Sequence, residues 1–162
     1  MKKLAVIIFT LALLVSGCAT TSYDETVSRW TSYKDVSNWM GTHFNYSLTK
    51  WYIVAGKCLN GADEKKCLLV QSPEQTFRWS SGVCYDAAVF DRDTLNRINS
   101  NYEARLVRLL RLDMGGHYVC GFKIEGKLYI MDYGEVTGPF ESLAEYKEKN
   151  NQIIKVYFYD KF

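Results

Sequence analysis

The chain has 162 residues, 48% hydrophobic and 15% aromatic, with two prolines, no biased tract and no internal repeat. That describes one domain with enough apolar surface for a core, and it excludes a long disordered region. Of 20 basic and 18 acidic residues, Lys2 and Lys3 stand at the extreme N-terminus, so the rest carries 18 of each sign, and nothing in this balance suggests nucleic-acid binding, which needs a concentrated basic face.

Residues 4–15 form an apolar run of 12 residues, too short to cross a bilayer as a mature helix and of signal-peptide length. Leu14-Val15-Ser16-Gly17-Cys18 follows it and resembles the lipobox of bacterial lipoproteins. The resemblance implies cleavage of the signal peptide, residues 1–17, and acylation of the Cys18 thiol and the new amino group. Two or more acyl chains then give stable membrane anchoring. Ala19 beside the lipid, in place of an aspartate, implies the outer membrane facing the periplasm, by the sorting rule of such lipoproteins. Residues 18–23 become a lipidated tether and residues 24–162 the folded domain. An ordinary secreted protein with an incidental cysteine is the alternative.

Asp24 can cap a helix running to about residue 45. Its apolar residues Val27, Trp30, Tyr33, Val36, Trp39, Met40 and Phe44 recur every three or four positions, which is one helical face. His43 lies beside that stripe and reads as structural. Residues 51–55 and 67–70 are ambiguous short segments, read as strands around a polar loop. Ser72-Pro73-Glu74-Gln75 is a capping box with proline at the first helical position, opening a short helix to about Trp79. Ser80-Ser81-Gly82 break it. A second helix runs from about Val83 to Ile98 with Ala87, Ala88, Val89, Leu95 and Ile98 as its buried side. Residues 103–112 fit helix or strand about equally, and strand is expected because strands follow. Residues 118–124 and 128–133 are strands joined at Glu125-Gly126, residues 141–149 a surface helix, and residues 153–159 a closing strand. Helices first and an antiparallel sheet after give an α+β domain.

Four cysteines remain besides Cys18, in a compartment where disulfides are allowed. Cys58 and Cys67 flank the loop LNGADEKK and form the expected bridge, which would stabilise the fold by roughly 2–3 kcal/mol. Cys84 and Cys120 are then either bridged to each other or free.

The chemistry is carried by SSGVCYDAAVF and GGHYVCGFKIEGKLYIMDYG. A thiol at a helix N-terminus beside a histidine is more readily ionised, hence a better nucleophile. Gly82 lets the chain turn tightly before the helix, and Ala87 and Ala88 allow close packing on a sheet. The backbone N–H of Cys84 is one of the unpaired donors of that helix end, suited to hold an oxyanion. Asp86 suits the first turn of a helix but opposes thiolate formation.

If Glu125-Gly126 make a two-residue hairpin, Ile124 pairs with Lys127, Phe122 with Tyr129 and Val119 with Asp132. His117 and Asp132 then share a face as diagonal neighbours. The opposite face carries Tyr118, Cys120, Phe122 and Ile124 with Tyr129, Met131 and Tyr133, nearly all apolar, and is expected to face the core. Asp132 would orient His117 and stabilise its cation, as in a catalytic triad. Metal binding by Cys84, His117 and Cys120 lacks any paired-ligand spacing.

Gly82-Val83-Cys84 opening a helix, a strand beginning at His117, and Asp132 on the next strand resemble the transglutaminase-like superfamily. Intervals of 33 and 15 residues suit it, as does the preceding SPEQTFRWSSG. The resemblance covers residues 36–133. It implies a papain-like, transglutaminase-core fold with N-terminal helices on an antiparallel sheet. It also implies a Cys84-His117-Asp132 triad acting on acyl substrates, as in peptidases, amidases and cross-linking enzymes. Family members often add an indole or amide donor to the oxyanion hole, for which Trp51 and Trp79 are candidates. Tyr118, Tyr133, Trp51 and Trp79 either line a cleft or belong to core and rim. No acidic cluster argues for calcium, and no cofactor is implied.

The expected function is an envelope-anchored thiol hydrolase or acyltransferase acting on peptide or peptidoglycan-peptide substrates. A catalytically inactive lipoprotein serving as a binding or assembly module is the alternative. A third reading is an NlpC/P60-like peptidoglycan hydrolase, whose Asp-Cys-Ser-Gly motif is replaced here by Gly-Val-Cys-Tyr-Asp.

Overall fold

The long apolar stripe near the N-terminus is carried by two helices. A computed structural model describes residues 21–60, 63–113 and 115–159. The signal segment, Cys18 and Ala19 lie outside the described residues. Ser22 caps α1 (Tyr23–Val27) by accepting from the Glu25 N–H, so Tyr23, read as tether, is already helical. The chain then restarts as α2 (Tyr33–His43), because the Asp35 carboxylate accepts from the N–H groups of Thr31 and Ser32, both at 2.9 Å. These two hydrogen bonds hold Asp35 below the usual carboxylate range. The apolar spacing runs across the break. Val27, Val36, Trp39 and Met40 are buried, and Trp30, Tyr33 and Phe44 pack on them.

β1 (Asn45–Tyr46) leads into α3 (Leu48–Leu59), capped by Ser47. Residues 51–55, read as strand, are therefore helical: the local cap outweighs the β-leaning Trp-Tyr-Ile-Val run. α4 (Glu64–Cys67) replaces part of the second expected strand. Cys58 and Cys67 are joined by a disulfide that ties α3 to α4. α5 (Pro73–Trp79) has the expected capping box between Ser72 and Gln75. β2 (Ser81–Gly82) pairs with β1 in parallel and delivers the chain to α6 (Cys84–Ile98).

Five antiparallel strands follow: β3 (Arg105–Arg111), β4 (Gly115–Ile124), β5 (Lys127–Asp132), β6 (Glu135–Phe140) and β7 (Ile153–Phe158), in the order β6-β5-β4-β3-β7. Of the residues 103–112 expected as strand, β3 takes Arg105–Arg111, and Glu103 ends a 3-10 turn before it. Glu125 and Gly126 both have positive φ, and Ile124 pairs with Lys127 and Phe122 with Tyr129 as expected, but the expected Val119–Asp132 pair does not form because the β4–β5 ladder ends at Cys120–Met131. β6 was not expected. It lies at the sheet edge, where Pro139 costs no ladder bond. The turn into it, Tyr133-Gly134, also has positive φ. It is fastened to α2: the Ser37 hydroxyl donates to the Gly134 carbonyl at 2.6 Å. Between β6 and β7 lies α7 (Leu143–Glu148).

α6 crosses one face of the sheet over Tyr118, Cys120 and Phe122, the face expected to meet the core. The other face is buried as well. Val107, Leu109, Val119, Leu128 and Ile130 pack there with Phe140 and with Tyr146 of α7. Among the described residues no helix is long and apolar enough to cross a membrane.

Candidate active site

Cys84 is the first residue of α6, so its N–H is among those without an intrahelical partner. The helix start is built by Asp86. Its carboxylate, fully buried, accepts from the Val83 N–H at 2.8 Å and the Gln71 N–H at 2.9 Å, and is ion-paired to Lys50 of α3 at 2.7 Å. The negative charge that sequence reading set against the thiol is therefore countered by a lysine 36 residues away. Gly82 is required beside it, because a Cβ there would lie 2.7 Å from Asp86 Cβ and Oδ2.

His117 comes from β4 and Asp132 from the end of β5. β4 and β5 cease to pair beyond Cys120–Met131, and at this opened end the two side chains meet. His117 Nε2 lies 2.9 Å from Asp132 Oδ2 and 3.0 Å from Oδ1. That engagement leaves Nδ1 for the Cys84 thiol, which is also a hydrogen-bond partner of His117. Burial disfavours the imidazolium. The hydrogen bonds to Asp132 and Cys84, with their negative charges, outweigh it and push the His117 pKa up to about 9. The structure thus brings Cys84, His117 and Asp132 together. Cys120 is fully buried in the core, unbridged, and its thiol is pushed up by burial.

Tyr133 belongs in this group, although the sequence pattern placed it on the apolar face expected to meet the core and favoured a core or rim role. It lies in the turn after β5, with its ring 5.8 Å from that of His117, and its hydroxyl is a hydrogen-bond partner of the Cys84 thiol. Burial pushes its phenol pKa up, and the acidic groups around it add to the effect, so the hydroxyl keeps its proton as a donor. Its signal in the sequence was adjacency to Asp132 ahead of a glycine turn.

These residues open into a cleft of about 530 Å³ lined by Tyr46, Leu48, Trp51, Cys84, Gly116, His117 and Tyr133. Trp51 lies in the cleft. Trp79, exposed at the end of α5, is not among the lining residues, and Tyr118 is core. His43 stacks on Trp39 at 5.5 Å, and its Nδ1 faces the Trp39 carbonyl and the Thr42 hydroxyl. It borders a separate hollow of about 880 Å³ between α1, α2 and α5, away from Cys84. Among the described residues no group of three acidic, cysteine or histidine side chains gathers as a metal site.

A family model described as a transglutaminase-like domain matches residues 19–159. The chain belongs to this family. Its mixed helix and antiparallel-sheet fold matches solved structures of Legionella pneumophila LapG. The calcium-bound form superposes with a TM-score of 0.53 at 18% identity, over 80% of this chain and 64% of that one. Another LapG structure gives 0.51 at 17% identity with the same coverage. At these identities the likeness is one of fold. The UPF0252 protein PH1321 of Pyrococcus horikoshii is 29% identical over 92 residues, 56% of this chain and 27% of that protein. This chain thus spans about a quarter of the length of PH1321 and just under two thirds of that of LapG.

Proposed function

We propose that this chain is a thiol hydrolase or acyltransferase acting on amide or peptide bonds, anchored in the cell envelope through Cys18. One observation carries the chemistry: His117 is held between Asp132 and a cysteine that opens a helix. The Cys84 sulfur attacks the amide carbonyl carbon and forms a C–S bond. The resulting oxyanion is met by the Cys84 N–H, and the Tyr133 hydroxyl supplies a further donor. The C–N bond then breaks, and the His117 imidazolium gives its proton to the leaving amine. Water or a second amine, deprotonated by His117, attacks the thioester, releases the acyl group and restores the thiol and imidazole pair. Asp132 keeps the ring oriented and its charge stabilised through both steps.

The test is iodoacetamide labelling of Cys84 across pH in the parent and in His117→Ala, read by peptide mass spectrometry. Selective labelling far below pH 8 that depends on His117 is the expected result. A thiol equally reactive with and without His117 would refute the reading. Anchoring predicts that labelled palmitate enters the parent chain and not Cys18→Ser.

A further inference from the structure

α3 carries its apolar residues outward. Val54 is its buried side chain. Leu48 is 63% exposed, Trp51 44%, Tyr52 67% and Leu59 86%. At 100° per residue these four, with Ala55, fall within about a third of the helix circumference and make one row. Lys50 and Lys57 lie on the other side, and Lys50 is turned inward onto Asp86. The row therefore carries no charge. It is also not separate from the site: Leu48 and Trp51 are walls of the cleft that holds Cys84, together with Tyr46 and Tyr133. Whatever enters the cleft covers the start of the row.

We propose that the cleft and this row are the acyl-donor subsite, and that they select a polypeptide carrying a bulky apolar side chain, of leucine or phenylalanine size, beside the carbonyl presented to Cys84. The proposal rests on the thiol-hydrolase reading and names its substrate class. The cleft volume lies in the range of pockets that take small-molecule-sized groups, so it has ample room for a side chain of this size. Transfer of such a side chain from water onto Leu48 and Trp51 is favourable. A carboxylate or ammonium set against Leu48 and Trp51 would lose hydration to side chains that carry no charge, since the charge-bearing groups of the lining, Cys84 and His117, belong to the reacting centre. Successive apolar residues of the donor can continue along Tyr52 towards Leu59.

The experiment uses alkyne-tagged peptidyl chloromethyl ketones that differ only in the residue next to the ketone: Phe, Leu, Asp or Lys. They are applied to lysates of cells making the full chain. Alkylation of Cys84 is read by mass spectrometry, and each rate is divided by that of iodoacetamide in the same lysate. The Phe and Leu reagents are expected to react roughly 10- to 100-fold faster than the Asp and Lys reagents. Trp51→Ala and Leu48→Ser should each compress that preference, while Ile154→Ser, exposed on β7, should keep it. Equal rates with all four reagents on a His117-activated thiol, or a preference that survives Trp51→Ala, overturn this proposal and leave the thiol-hydrolase reading standing. A Cys84 that reacts with iodoacetamide independently of His117 brings both down. A Tyr52→Cys thiol that a membrane-impermeant maleimide reaches only after detergent would put the row against lipid, and that too overturns the proposal.

Discussion

Lys50 Nζ lies 2.7 Å from Asp86 Oδ2 and 2.8 Å from Oδ1, joining the helix that walls the cleft to the first turn of the helix that carries Cys84. Asp86 is fully buried and the Lys50 side chain is 15% exposed, so the pair is shielded from solvent. Removing one partner leaves a buried charge, which costs far more than an exposed pair is worth. Lys50→Met is expected to lower the unfolding free energy by about 3 kcal/mol. Adding Asp86→Asn should recover part of the loss. Urea denaturation checks both, and a Lys50→Met protein within about 0.5 kcal/mol of the parent would show that the pair stabilises nothing.

Only two histidines are present, so the imidazole resonances of His43 and His117 are readily separated by NMR. His117 should titrate near pH 9, against an ordinary value of 6.5. Asp132→Asn, which keeps a hydrogen-bonding oxygen and removes the charge, should bring it down by at least about one pH unit. Linkage gives the sign for stability. A raised pKa in the folded state contributes fully below about pH 6.5, and the contribution is lost as pH rises through about 9. An unmoved His117 titration in Asp132→Asn would contradict the assignment of its main favourable partner.

Asp91, one face of α6 below Cys84, is fully buried, and neither carboxylate oxygen has a hydrogen-bond partner. Burial raises its pKa well above the ordinary 3.8, and the nearby charge of Asp132 adds to the rise. The folded protein therefore holds a proton that the unfolded chain releases, and stability falls as pH increases above about 4. Asp91→Asn abolishes that ionisation. It should have little effect at pH 4 and stabilise by roughly 1–3 kcal/mol at pH 7.5. A difference independent of pH would mean that Asp91 is ionised in the folded state.

Gly134 combines φ of +89° with a crowded site: a Cβ would lie 2.6 Å from the Gly41 nitrogen and the Ser37 carbonyl oxygen. Gly134→Ala should cost about 2–4 kcal/mol, because backbone strain and backbone contact add. The displaced turn carries Asp132 and Tyr133, so the His117 titration should also move towards 6.5. A thermal midpoint equal to the parent's would rule the contact out.

The hairpin around Glu125-Gly126 was legible because turn chemistry and a period of two set its register. Once Phe122 faced Tyr129, His117 and Asp132 had to share a side. The helix opening at Cys84 was legible from Ser80-Ser81-Gly82 and the small residues after it. Long-range partners were not. Lys50 and Asp86 are 36 positions apart, with no local pattern linking them, and Asp86 therefore read as an obstacle. α3 was hidden because positions 51–55 are apolar throughout and read locally as strand, while the row from Leu48 to Leu59 that has the helical period faces out and not into the core. The break between α1 and α2 was hidden for the opposite reason. Its apolar spacing is continuous, and only Ser32 with Asp35 three positions on marks the restart.

α3 is hung on the domain by three fasteners: the Ser47 N–H donating to the Gly82 carbonyl, the Lys50–Asp86 pair and the Cys58–Cys67 disulfide, with Val54 as its one deeply set side chain. None of these involves Leu48, Trp51, Tyr52 or Leu59. Exchange of those four residues costs the domain little folding energy, whereas a change at Cys84, His117 or Asp132 is felt by everything packed around the opened end of β4 and β5. Under the proposed function, the protein would therefore separate what it reacts with from how it reacts: a new preference could be written on one helix face while the proposed reactive centre and the scaffold stay as they are.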